Sequence, residues 1–203
     1  MTQTLLGAGC ALLMGASLLA APARAAEPTH VRGTIGTVDG SRVTVTTDDG
    51  QTVALTLGDG WTIGGVVAAT MADIKPGTFI GTANVAEADG NEALEVVVFP
   101  EALRGTGEGD RGWDLKPNSS MTNATVARKV EGVSGPTVTL TYKGGEKKVT
   151  IPPSTPIVTL APATAADIKP GAKVFMVGAL SPDGHAMSGG RLVVGENGVA
   201  PPM

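Results

Sequence analysis

The chain is short of the residues that usually hold small exported domains together or give them chemistry. It has one cysteine, Cys10, in 203 residues, which excludes a disulfide framework and a thiolate zinc site. Aromatic residues make up 3% of the chain and the net charge is −4. Nucleic-acid binding needs a basic footprint and stacking platforms, and both are missing. No cysteine nucleophile lies beyond residue 25, and no Gly-x-Ser-x-Gly elbow is present. Past the N-terminus, no run approaches the ~18 apolar residues that a membrane-spanning helix requires.

Abundance points elsewhere. Met1 to Ala21 carries no charged side chain, and Ala23-x-Ala25 fits the small-residue rule for signal peptidase. The expected leader is 1–25, cleaved after Ala25. Gly7-Ala8-Gly9 precedes Cys10 without a leucine three positions before it, which argues against a lipid anchor. The 178 residues that remain are soluble and exported on this reading, and the loss of Arg24 takes their net charge to −5. Val and Thr each occur 22 times in them, a β-branched excess that favours strands over helices.

Those strands come in two sets. Val43, Val45 and Thr47 alternate with Thr44 and Thr46; Asp48-Asp49-Gly50 intervenes; Val53, Leu55 and Leu57 alternate again. Period-two runs joined by Asp-Gly are hairpin signals. Asp39-Gly40 and Asp49-Gly50 are matched 95 positions later by Ser134-Gly135 and Gly144-Gly145. Asp73-Ile74-Lys75-Pro76-Gly77 recurs unchanged as Asp167-Ile168-Lys169-Pro170-Gly171, and Asp89-Gly90 as Asp183-Gly184, both 94 later. Four landmarks at one spacing predict an internal duplication, with units too long for a solenoid repeat.

Each unit reads as three strands, a crossover ending in the pentapeptide, and two more strands. The first unit gives strands near 31–38, 42–47, 51–58, 78–86 and 93–99; the second near 125–133, 137–143, 147–152, 173–180 and 190–195. A short helical turn is expected before each Pro-Gly. This order is that of five-stranded Greek-key barrels of the OB type, a sandwich or meander being the alternative. The expected fold is all-β: two tandem OB-like barrels, 26–99 and 124–203, joined by an inter-unit loop at 100–123.

That loop is the candidate site. It exceeds ordinary loop lengths, and glycines at 105, 107, 109 and 112 let its backbone approach a ligand closely. On a functional reading, Arg104 and Arg111 grip an anionic group, Trp113 supplies a stacking face, and Glu108 and Asp114 complete the rim. On a structural reading, Trp113 plugs the gap between the barrels, with Arg–Glu pairs at its edge. The Gly-x-Gly-x-Gly here lacks the strand–helix frame of a nucleotide site. His30 and His185 have no partners at ligand spacing, Asp48 and Asp49 suit a hairpin turn better than calcium, and no cofactor is expected. Glu92 and Glu95, beside or in a strand, read as solvent-facing.

Several segments are jointly distinctive: Val31-Arg32-Gly33-Thr34-Ile35, Phe99-Pro100-Glu101, Arg104-Gly105-Thr106-Gly107-Glu108-Gly109, Trp113-Asp114-Leu115, Met121-Thr122-Asn123-Ala124-Thr125-Val126, Tyr142-Lys143-Gly144-Gly145-Glu146 and the Pro201-Pro202-Met203 ending. With the pentapeptide, they resemble a group of exported Gram-negative proteins that share a domain of unknown function and often carry the label "metal ABC transporter permease". The resemblance implies a periplasmic location and assigns no activity. A permease needs several membrane spans, which this chain does not offer. Members often have His where Asp110 stands and Pro where Gly112 stands. The expected function is a non-catalytic periplasmic binding or adaptor module, its partner another periplasmic protein or a small anionic ligand. The alternatives are an accessory metal-binding protein of an uptake system and, last, an enzyme.

Overall fold

The computed structural model describes residues 28–88 and 90–202. The expected leader 1–25, with Cys10 and Ala23-x-Ala25, Asp89 of the expected Asp89-Gly90 turn, and Met203 lie outside them. The described chain is all-β. Its first half supplies β1 (Thr29–Asp39), β2 (Arg42–Thr47), β3 (Thr52–Thr56), β4 (Trp61–Ala68), β5 (Phe79–Glu87) and β6 (Gly90–Val98). A short β7 (Gly109–Gly112) follows. The second half supplies β8 (Ser119–Val130), β9 (Thr137–Tyr142), β10 (Gly145–Thr150), β11 (Ile157–Pro162), β12 (Lys173–Leu180) and β13 (Ala186–Gly195). The ten expected strands are present. The crossovers contain β4 and β11, which sequence reading missed because Gly64-Gly65 and Pro162 break their alternation.

The strands close into barrels, but not tandem ones. β1 pairs antiparallel with β2 and β12, β2 with β3, and β12 with β13. β13 then runs parallel to β3, Ala186 facing Ala54, and completes a five-stranded ring. The second ring is β8-β9-β10 with β5 and β6, closed where β6 runs parallel to β10 at Asn91 and Val149. Each barrel therefore takes three strands from one half of the chain and two from the other, in place of the expected contiguous units 26–99 and 124–203. The physical reason lies in β4. This strand of eight residues spans about 26 Å and pairs with β13 and β11, carrying the chain to the other barrel.

Interchanging β1–β6 with β8–β13 maps every pairing onto another, β7 with β8 excepted. At the centre, Val66 faces Leu160, flanked by Gly65 opposite Ala161 and Val67 opposite Thr159. Val66 and Leu160 are 94 residues apart, the spacing of the two pentapeptides.

Alternation along the strands sorts the apolar side chains into three clusters. Ile35, Val43, Val45, Met176 and Leu192 belong to the core of the β1 barrel. Val96, Val98, Val126, Leu140 and Val149 belong to that of the β8 barrel. The alternate residues Val66, Val97, Val158, Phe175 and Val193 pack between them. The pentapeptides supply one plug each. Thr70 and Thr164 begin 3-10 turns, the amide of each donating to the Asp three residues on at 2.8 Å, and Ile74 and Ile168 follow. Ile74 enters the β8 barrel and Ile168 the β1 barrel, each burial stabilising by roughly 1.5–3 kcal/mol.

Candidate functional site

The loop residues nominated by sequence go to separate partners. Arg104 donates from Nε to Glu101 Oε1 at 2.6 Å, from Nη2 to Glu101 Oε2 and the Gly77 carbonyl at 2.7 Å each, and from Nη1 to Thr125 at 3.2 Å. It lies 6.0 Å from the Phe79 ring centre. This guanidinium fastens the start of the linker to the β8 barrel. Arg111 donates to the Gly107 carbonyl at 2.9 Å and covers the Trp113 ring at 5.6 Å. Glu108 accepts the Lys143 amide at 3.0 Å. These are the contacts of a strap, and two arginines aimed at different partners do not form one anion grip.

The linker is also more ordered than a loop. A 3-10 turn occupies Glu101–Leu103, and β7 pairs with β8. Asp110 on β7 accepts from Lys147 at 2.7 Å and Thr122 at 2.6 Å. Burial tends to raise its proton affinity, but these bonds outweigh burial and hold it below the usual range. Ser120 Oγ lies 2.8 Å from the same Lys147 nitrogen. A serine–lysine nucleophile needs a free base, whereas this lysine is committed to a carboxylate, so the group ties β7 to β10.

Asp114 behaves differently. It leaves the linker for the other barrel, accepting from Arg32 at 2.8 and 3.2 Å while His30 Nδ1 sits 3.1 Å away. Burial opposes ionisation of Asp114, the Arg32 and His30 bonds outweigh it, and the net shift is downward. Trp113 packs into the inter-barrel cluster with His30 at 4.6 Å between ring centres, which realises the plug reading. Arg32 lies on β1, over the Phe175 ring at 5.2 Å. The next residue, Gly33, passes so near β2 that a Cβ there would stand 2.2 Å from the Thr46 carbonyl oxygen. Close passage of β1 over β2 thus fixes where the Arg32 side chain emerges.

Around Arg32 run two adjoining cavities of about 560 and 450 Å³, within the range of small-molecule sites. They share Arg32, Asp48 and Leu115. In the wall of the second stands Glu95, 6% exposed, with Oε1 buried and unpaired. Burial pushes its carboxyl up to about 7; the Arg32 charge works against this and the Asp114 charge with it. Leaving a buried acceptor unmet costs about 1–3 kcal/mol.

The sequence reading placed Glu92 and Glu95 in solvent. Glu92 is exposed, and Glu95 is not. A bulge at Leu94 keeps Glu92 and Glu95 on one face of β6, outside the β8 barrel core that holds Ala93 and Val96, and Val96-Val97-Val98-Phe99 marks a strand covered on both sides, the signal the sequence offered. His185 lies apart, its Nδ1 3.4 Å from the Thr52 carbonyl. Asp49 is bound by the Thr47 hydroxyl and, at 3.1 Å, by Gln51, a turn role. Among the described residues no three His, Cys, Asp or Glu side chains gather as a metal site, and no helix is long and apolar enough to cross a membrane. No family model, curated protein or solved structure matches the chain.

Proposed function

We propose that this is an exported, periplasmic, non-catalytic binding module, and that its ligand occupies the groove between the barrels beside Arg32, Glu95 and Leu115. The leader-like N-terminus supports export, as does the resemblance to exported Gram-negative proteins. Two copies of one OB-like unit, their last strands exchanged, account for the repeated pentapeptide and the interchangeable pairings. The exchange brings β1 of one barrel beside β6 of the other and creates the groove at their junction. One observation carries the site: a buried, unpaired carboxylate oxygen in the wall of an otherwise largely apolar groove. A binding protein can tolerate an unmet acceptor if a ligand meets it. The linker arginines, already engaged, are fasteners.

The test is amide shift mapping of the mature protein with hexylamine, hexanol and hexanoate. Perturbations should gather on Arg32, Glu95, Leu115 and Val158 for at least one of them. Shifts confined to the Arg104–Arg111 strap would move the site there, and no localised shift from any fragment would remove the reading.

A further inference from the structure

Resting on that groove as the ligand site, we infer that it takes an organic cation, an amine or guanidinium on an apolar body, which binds by replacing the proton on Glu95. The charged groups around Glu95 come from every neighbouring element. Arg32 lies on β1, Asp48 in the β2–β3 turn, Asp114 before β8 and Lys173 on β12. Arg32 already makes a two-point pair with Asp114, and Lys173 donates to the Thr34 hydroxyl at 2.8 Å. Of the buried side-chain atoms without a partner, Trp113 Nε1 and Asn123 Oδ1 belong to residues that line neither cavity, and the one in the groove wall is an acceptor, Glu95 Oε1. Asp48 in this groove and Asp49 in the adjoining cavity carry further negative charge, whereas Asp114 is spent on Arg32. An anion would face these carboxylates. A neutral apolar molecule would leave Oε1 as it is. A cation satisfies it and lays its body along Leu115, Ile157, Val158 and Val199.

The exchange balances simply. The protonated Glu95 carboxyl releases its proton to solvent, and the carboxylate accepts N–H bonds from the incoming ammonium, so charge at the site is conserved. Because Glu95 titrates near 7, affinity should rise about tenfold per pH unit on the acid side of that value and level off above it.

Calorimetric titration of the mature protein with hexylamine, hexanoate and hexanol from pH 5.5 to 8.5, in buffers of differing ionisation heat, tests this. The expected result is hexylamine binding with proton release near neutrality, weaker binding of the other two, and at least about a tenfold loss with loss of pH dependence in Glu95→Gln. Equal or tighter groove binding of hexanoate or hexanol would overturn the cation assignment and leave the groove reading standing. So would hexylamine affinity unchanged in Glu95→Gln, with that variant's fold verified by its amide spectrum. Failure of all three fragments to bind the groove would overturn both readings.

Discussion

The two barrels share their strand pairings and differ in what covers one pair of matching positions. In the β1 barrel, Ile35 exchanges backbone bonds with Gly171 and Ala172; in the β8 barrel, Val126 does so with Gly77 and Thr78. Three residues earlier stand Arg32 and Asn123. Arg32 opens onto a groove. Asn123 is covered: its backbone pairs with Gly109 of β7, and its side-chain nitrogen donates to the Thr106 carbonyl at 3.0 Å. Next to Arg32, the Asp48 amide donates to the Arg32 carbonyl at 3.0 Å; at the matching place, the Lys143 amide is met by Glu108 from the linker. The linker fills on one side what stays open on the other, then reaches across with Asp114 to pair with Arg32. The matched pairings thus leave this position open in one barrel and covered in the other, because a segment without a counterpart breaks the symmetry.

The exchange of strands between the barrels has an all-or-none test. Thr34 of β1 faces Lys173 of β12. Next to them, the Ile35 amide donates to the Ala172 carbonyl at 2.9 Å, so Thr34 and Lys173 form a non-hydrogen-bonded pair with closely spaced side chains. No native cysteine follows residue 25. Thr34→Cys with Lys173→Cys should form an intramolecular disulfide nearly completely under mild oxidation. Thiols that stay free in a folded monomer would return β12 to its own half.

A smaller effect separates the open side from the covered one. Glu95 moves from 4.5 to about 7 on folding, so the folded protein holds that proton more firmly than the unfolded chain. Its contribution favours folding most below pH 4.5, declines as pH rises towards 7, and stays reduced above. The shift corresponds to about 3 kcal/mol. Glu95→Gln should therefore melt above the parent at pH 8, by up to ~3 kcal/mol in urea unfolding, with the gap closing towards pH 4.5. A variant less stable than the parent at pH 8 would mean that the carboxylate is well paired.

Much of the fold was legible because local rules decide it. Gly50 at φ +86° and Gly144 at φ +103° mark the hairpins read from sequence, and Val43, Val45, Val53 and Leu55 point inward as their alternation requires. Partner choice was not legible. Three strands, a crossover and two strands have the same local pattern whether β12 returns to its own half or crosses to the other. The pairings of β1 with β12 and of β8 with β5 distinguish these, and the strands that carry the chain across, β4 and β11, are obscured by glycine or proline. The site suffered from the same cause. Arg104, Glu108, Arg111, Trp113 and Asp114 stand together in sequence as candidate ligand residues, yet only Trp113 and Asp114 reach the other barrel, at His30 and Arg32. Glu95 and Arg32 are 63 positions apart, and exchange is what brings them together.

The most direct test is the titration of the Glu95 carboxyl, followed by carbon NMR on a protein of residues 26–203 labelled at glutamate side chains, with Glu95→Gln assigning the resonance. One glutamate should titrate near 7, well above the others, and its midpoint should fall when hexylamine is added. If every glutamate titrates in the ordinary range near 4.5, the groove holds no unmet carboxylate and the proposed site is contradicted.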